Sequence, residues 1–247
     1  MSLPREVLEI GLAAPLDGFN LHGLFLTGSF ARGEAAPNSD IDLLALASDG
    51  TTWRKFYRVG ARDVDLFILP TERAIAAIEK REQPFLRILA TAEILDDRTG
   101  QMRRILGRAL KAYREGPAPP DPTDLRNLRH RVITVIDDAY AAKDVNPGAA
   151  VIALCSELQN LSDLYLTTIG EWNVAPRFIE RTIAKTNPEL ARRFAIVSGE
   201  QTTIAERIDA FECLIEIILA PYGGPLRYFE TKRSRGASRP LESLAEI

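Results

Sequence analysis

Two short groups of residues in this chain have types and spacing that suit chemistry. They are Gly28-Ser29 and, after ten intervening residues, Asp40-Ile41-Asp42. Gly28-Ser29 follows the apolar run Leu21 to Leu26. A strand there hands over to a helical turn, so successive backbone N–H groups can converge on a phosphate. Asp40 and Asp42 open a second apolar run, Ile41 to Ala47. Two apart on a strand, both carboxylates project from the same face. Hard anionic oxygens on one face, near a phosphate cradle, suit a Mg²⁺-nucleotide site. Arg32 has two uses open to it: its planar fork suits phosphate, and it can equally brace the acidic loop through Glu34 or Asp40. Ser39 can cap the loop broken by Pro37 or donate to a ligand.

The elements that must position these residues follow from periodicity. Pro4 to Ala14 reads as an amphipathic helix, ended by Pro15-Leu16-Asp17-Gly18. After the two strands around the loop, Thr51 to Val59 mixes β-branched, aromatic and basic residues, as an edge strand does. Asp63 to Leu69 is a buried strand that begins acidic, and its short connection predicts a place beside the Asp40–Asp42 strand. Helices over 70–80 and 84–91, a short strand over 92–96 and a helix over 100–115 complete a first domain, 1–116. Residues 117–122 hold a proline-dense, semi-rigid linker. Beyond it, 123–247 is helical throughout, with long patterns over 123–143 and 149–169 and shorter ones over 176–185, 188–197 and 202–220. The basic tail Lys232-Arg233-Ser234-Arg235 reads as a solvated end. The fold class is therefore α+β: a small mixed β-sheet domain with flanking helices, then an all-α helical bundle.

Composition narrows the class. A chain of 247 residues, 46% hydrophobic and 26% charged, buries a substantial core. Its net charge of −3 gives no electrostatic case for holding an extended nucleic acid. Cys155 and Cys213 lie in apolar helical patterns and read as reduced core thiols. With only His22 and His130, a histidine-based metal site or triad is poorly supplied. The N-terminus lacks the features of a signal peptide, and the longest apolar runs are too short to cross a bilayer. A cytoplasmic protein without membrane attachment is the expectation.

Gly-Ser, ten residues and Asp-x-Asp together resemble the signature of the DNA polymerase β-type nucleotidyltransferase superfamily. With Ala31-Arg32-Gly33 after Gly-Ser and Ser39 before Asp40, the variant looks most like its small bacterial members, the minimal and the aminoglycoside-type enzymes. The resemblance implies a mixed-sheet catalytic domain and a helical partner domain on the acceptor side. It implies transfer of a nucleoside monophosphate, AMP in the first instance, from ATP or another NTP to a hydroxyl or amine of a small molecule, with release of pyrophosphate. Asp40 and Asp42 would bind Mg²⁺, two ions in all, bridged to the triphosphate. Gly28 and Ser29 would hold the terminal phosphates, with Arg32 and Ser39 as further nucleotide contacts.

The resemblance also implies a third carboxylate on a neighbouring strand, as metal ligand and catalytic base. Asp65, embedded between Val64 and Leu66, is the choice, since such a carboxylate is costly unless paired or metal-bound. Asp63 shares its parity, but the preceding Arg62 favours a surface ion pair there. In the helical part, Ser156, Asn160, Asp163 and Thr167 form a polar stripe at helical spacing. Asn160 and Asp163 are the candidates to orient an acceptor, against the plainer reading of a solvated face. Transfer of AMP to a protein and a non-catalytic nucleotide-binding scaffold are the competing functions. A homodimer accords with the resemblance, although no stripe demands it.

Overall fold

In a computed structural model, which describes residues 9, 10, 16, 18–48, 50 and 52–229, the apolar runs form the inner strands of one sheet. β1 (Leu21–Thr27) leads through a single helical turn, α1 (Gly28–Ala31), and a loop into β2 (Ile41–Ala47). β3 (Trp53–Val59), β4 (Arg62–Pro70) and β5 (Glu93–Asp97) complete the order β3-β4-β2-β1-β5. β2 and β4 run parallel while the other pairs are antiparallel, so the sheet is mixed, as the sequence predicts. Inner strands covered on both faces have near-continuous apolar sequences. The edge strand β3 instead keeps only Trp53 and Tyr57 half-buried, and Arg54, Lys55 and Arg58 charge its exposed surface.

The two-residue period of a strand sorts side chains to two cores. Ile41, Leu43 and Ala45 pack with Val64, Leu66 and Ile68 on one face. Leu44, Leu46, Phe25 and Leu69 turn to the other, under α2 (Thr71–Glu79), α3 (Gln83–Ala90) and α4 (Gln101–Arg114). Asp42 and Asp65 have the parity of this second, helix-covered face. They occupy the end of their strands where the covering apolar residues stop.

The chain divides into two compact units. The described residues up to Pro120, with Ser162–Thr182, form the first; Asp121–Leu161, with Ile183 onward, form the second. In the first, Trp172 inserts into the core beneath the sheet. Its ring stacks on Tyr113 at 4.9 Å and 6°, and its Nε1–H donates to the Tyr113 carbonyl at 3.0 Å. Gln83 clamps the same segment from α3: its Oε1 accepts from Asn173 N–H at 3.0 Å, and its Nε2 donates to Thr167 Oγ1 at 3.1 Å.

The rest is helical: α5 (Pro122–Ala142), α6 (Pro147–Ser156), α7 (Leu158–Thr168), α8 (Ile179–Ile183), α9 (Pro188–Ser198) and α10 (Ile204–Leu219). Asp121 caps α5 by accepting from Thr123 and Asp124 N–H, and Thr203 with Glu206 forms a capping box on α10. The buried Arg207 donates to the carbonyls of Val197, Gly199 and Thr202 around the end of α9.

Two expected helices differ. The pattern over 149–169 breaks at Glu157, which caps α6 with φ −103° and ψ −2°. Its buried carboxylate accepts from Arg131 and from Asn160. Over 176–185 the helix becomes a 3-10 turn, Pro176–Phe178, followed by the short α8. The helix expected over 4–14 lies, apart from the helical Glu9 and Ile10, outside the described residues, as does the basic tail. No helix among the described residues is long and apolar enough to cross a membrane.

Candidate functional site

Parallel pairing of β2 with β4 sets Asp42 directly beside Asp65 in register. Thr27, at the end of β1, pairs with Asp42 from the other side, and its Oγ1 donates to the Asp42 carbonyl at 3.3 Å. The strand ends therefore bring the Gly28-Ser29 turn against the Asp42 carboxylate. Gly28 has φ +67°, a backbone state that favours glycine. It is needed for a second reason: a Cβ at this position would overlap Asp42 Oδ2 outright. Next to it, the buried Ser29 hydroxyl has no hydrogen-bond partner. An unsatisfied buried polar group is costly, so Ser29 Oγ is an atom to which a ligand has something to offer.

Electrostatics single out Asp42. Burial first, then the nearby charges of Asp40 and Asp65, push its carboxyl up to about 6; Arg32 and Arg54 pull weakly the other way. Asp40 and Asp65 thus both act on the carboxylate between them. Among the described residues, however, no group of three or more His, Cys, Asp or Glu side chains is placed to hold a metal ion. One of the three aspartates already has a partner on the edge strand. Arg54 donates from Nε and Nη2 to both oxygens of Asp65, at 2.8 and 2.6 Å. A guanidinium fork thus already compensates the third carboxylate. In kind, the donors suit a divalent cation: hard oxygens whose mutual repulsion a cation would relieve. By donor chemistry Asp40, Asp42 and Asp65 are the residues that would hold such a cation, Asp65 in competition with Arg54.

The remaining sequence candidates fall as follows. Arg32 Nε donates to Glu34 at 2.9 Å, bracing the loop, and Ser39 Oγ accepts from Ala36 N–H at 2.8 Å within it. Asp63 pairs with Arg58 at 2.7 and 3.0 Å, an ion pair on the surface, made across the strands rather than with the adjacent Arg62. Asn160 is tied to Glu157. Asp163, in the same unit as the signature, is not among the residues that line the two clefts beside it. One cleft, of about 260 Å³, is lined by Thr27, Asp42, Asp65, Arg54, Phe67 and Phe85. Arg54 is the residue that sequence reasoning missed. Its basic character on an edge strand was visible, but the cross-strand register that aims it at Asp65 was not.

Comparison with known proteins bears on the fold of this part of the chain. Residues 19–96 match the family described as Nucleotidyltransferase domain. The nucleotidyltransferase-like protein from Exiguobacterium sibiricum 255-15, seen in a crystal structure, has a similar fold. Its TM-score is 0.54 at 14% identity, over 89% of this chain and 74% of that one. No protein of curated function matches this chain in sequence.

Proposed function

We propose, for a chain whose residues 19–96 match the nucleotidyltransferase domain family, Mg²⁺-dependent transfer of a nucleoside monophosphate from an NTP, AMP from ATP in the first instance, to a small-molecule acceptor. One observation carries this reading: Asp42 and Asp65 stand side by side in register, with the glycine turn pressed against Asp42. The terminal phosphates meet the Gly28-Ser29 backbone and the unsatisfied Ser29 hydroxyl. Arg32 turns from Glu34 to phosphate, and Ser39 keeps the loop closed. Asp40 and Asp42 would hold Mg²⁺, with Asp65 as a third ligand if its contact with Arg54 gives way. When bound, the cation neutralises charge on the triphosphate and acidifies the attacking group. In the transfer, the acceptor oxygen or nitrogen forms a bond to the α-phosphorus while the bond to pyrophosphate breaks. The proton leaves the acceptor for Asp65 Oδ. Arg54, which donates to Asp65 in the structure, would be the counter-charge at hand on the edge strand.

The reaction class is tested with ATP labelled separately at the α and γ positions, incubated with Mg²⁺ and a small-molecule and protein extract. The α label is expected on a small compound and the γ label in pyrophosphate. Label on a protein band would move the acceptor to the protein class. Movement of the γ label to an acceptor, or of neither, would overturn the reading.

The cation site has its own readout. Asp42 is protonated below about 6 in the metal-free protein, and a proton there competes with the cation. Affinity for Mn²⁺ should therefore rise between pH 5 and pH 7, with proton release measurable by calorimetry in buffers of different ionisation enthalpy. A flat profile over that range removes Asp42 from the cation site.

A further inference from the structure

We propose that Arg87, Arg177 and Arg181 form a phosphate-binding subsite beside the signature loop, one that takes an organic phosphate. The proposal rests on the nucleotidyltransferase reading for its place in the reaction, but not for the binding itself. A second cleft of about 300 Å³ opens next to α1, lined by Gly28 and Arg32 from the signature and by Arg87, Arg177 and Arg181. Four guanidinium groups thus face one space in a chain whose net charge is −3. Several other arginines of the same unit are matched with acids, as Arg58 with Asp63, Arg73 with Glu82 and Arg108 with Glu79, although Arg104 meets the Gly100 carbonyl instead. Among the described residues, Arg87, Arg177 and Arg181 have no carboxylate within ion-pair distance. The acid in the cleft, Glu34, is already engaged by Arg32. Like charges gathered without a counter-charge are unfavourable, and an anion entering the cleft relieves them.

The arginines are also held ready. Arg177 and Arg181 lie one helical turn apart and pack over the Phe178 ring, at 4.7 and 4.8 Å from its centroid. Arg87 donates to the Asn173 carbonyl at 2.6 Å, in the segment that Gln83 and Trp172 anchor. These contacts restrict the side chains before a ligand arrives, which lowers the entropic cost of binding. Planar forks favour phosphate geometry. The apolar Ile88, Val174 and Phe178 in the same lining favour a phosphate that carries an organic body. That phosphate belongs either to the tail of the NTP or to a second, phosphorylated molecule on the acceptor side.

The test needs neither turnover nor an identified acceptor. Inorganic tripolyphosphate is titrated into the full chain by calorimetry, against wild type and an Arg177→Gln/Arg181→Gln variant. Both arginines are exposed, so the variant should fold, and an unchanged circular dichroism melt confirms it. Wild type is expected to bind, and the variant to bind about tenfold or more weakly. An Arg177→Lys/Arg181→Lys variant, which keeps charge and loses the fork, should fall between them. Repeating the titration on protein saturated with a non-hydrolysable ATP analogue separates the sources. Competition assigns the subsite to the nucleotide's phosphates; simultaneous binding, lost in the glutamine variant, assigns it to a second phosphorylated molecule. Absence of binding to wild type, or equal binding by wild type and variant, overturns the proposal whatever the labelling experiment finds.

Discussion

An Asp42→Asn variant is expected to fold at least as well as the wild type and to lose transfer on the order of 10³-fold. The two effects have opposite signs for one reason. Asp42 keeps a charge where burial and two neighbouring carboxylates oppose it, pushing its carboxyl from 3.8 up to about 6. A folded-state value above the unfolded one means that ionisation works against folding. The penalty is fully present above about 6 and disappears as pH falls below 3.8. Since the group is only partly buried and is screened by solvent, the gain from neutralising it at pH 7 is about 1 kcal/mol. Asparagine keeps the shape and an acceptor oxygen, but it removes the anionic ligand on which cation and triphosphate binding would depend. Urea unfolding in a chelating buffer reads the stability, and α-label transfer reads the activity. A variant as active as wild type would make Asp42 a bystander and remove the basis for the catalytic reading.

Trp172→Ala should destabilise the first unit by about 3–5 kcal/mol, a large share of the roughly 5–15 kcal/mol that holds a typical domain together. Trp172 is 8% exposed and packs into the same core as Phe25, Leu86, Leu89 and Met102. Truncation leaves a cavity in that core, ends the parallel stack on Tyr113 and frees the Tyr113 carbonyl from its donor. Trp172→Phe separates these contributions, because a ring remains while the Nε1 donor goes; its cost should be about 1–2 kcal/mol. Circular dichroism in urea, analysed at constant m-value, gives both numbers. A loss under about 1 kcal/mol for the alanine variant would show that residues 162–182 are held by something other than this anchor.

The strands and the carboxylate pair were legible because a strand has only one period. Once Ile41 to Ala47 and Asp63 to Leu69 are read as buried, the common parity of Asp40 with Asp42, and of Asp63 with Asp65, follows from the chain itself. Which β4 aspartate would lie beside Asp42 depended on register, a property of two strands together, and the parallel ladder aligns Asp65. The same holds for Arg54, whose bidentate contact with Asp65 crosses from β3 to β4. Helical punctuation failed where no proline or glycine marks it. Glu157 ends α6 among good helix formers, while its carboxylate is engaged by Arg131, 26 residues earlier, and by Asn160. No local pattern joins Trp172 to its partner, Tyr113, which lies 59 positions away. The arginines of the second cleft come from two stretches that no local pattern joins.

The way the first unit is assembled from two stretches of chain has an inheritance consequence. Its sheet is complete by residue 97, yet part of what seals its underside arrives only with Trp172, after the chain has passed through helices of the other unit. A gene cut at the proline stretch would encode a sheet with a hole in its floor and a helical remnant carrying the missing plug. Such a unit cannot be lost, swapped or appended by joining reading frames end to end. Its two parts must travel together, and so must the arginines that ride on the returning segment.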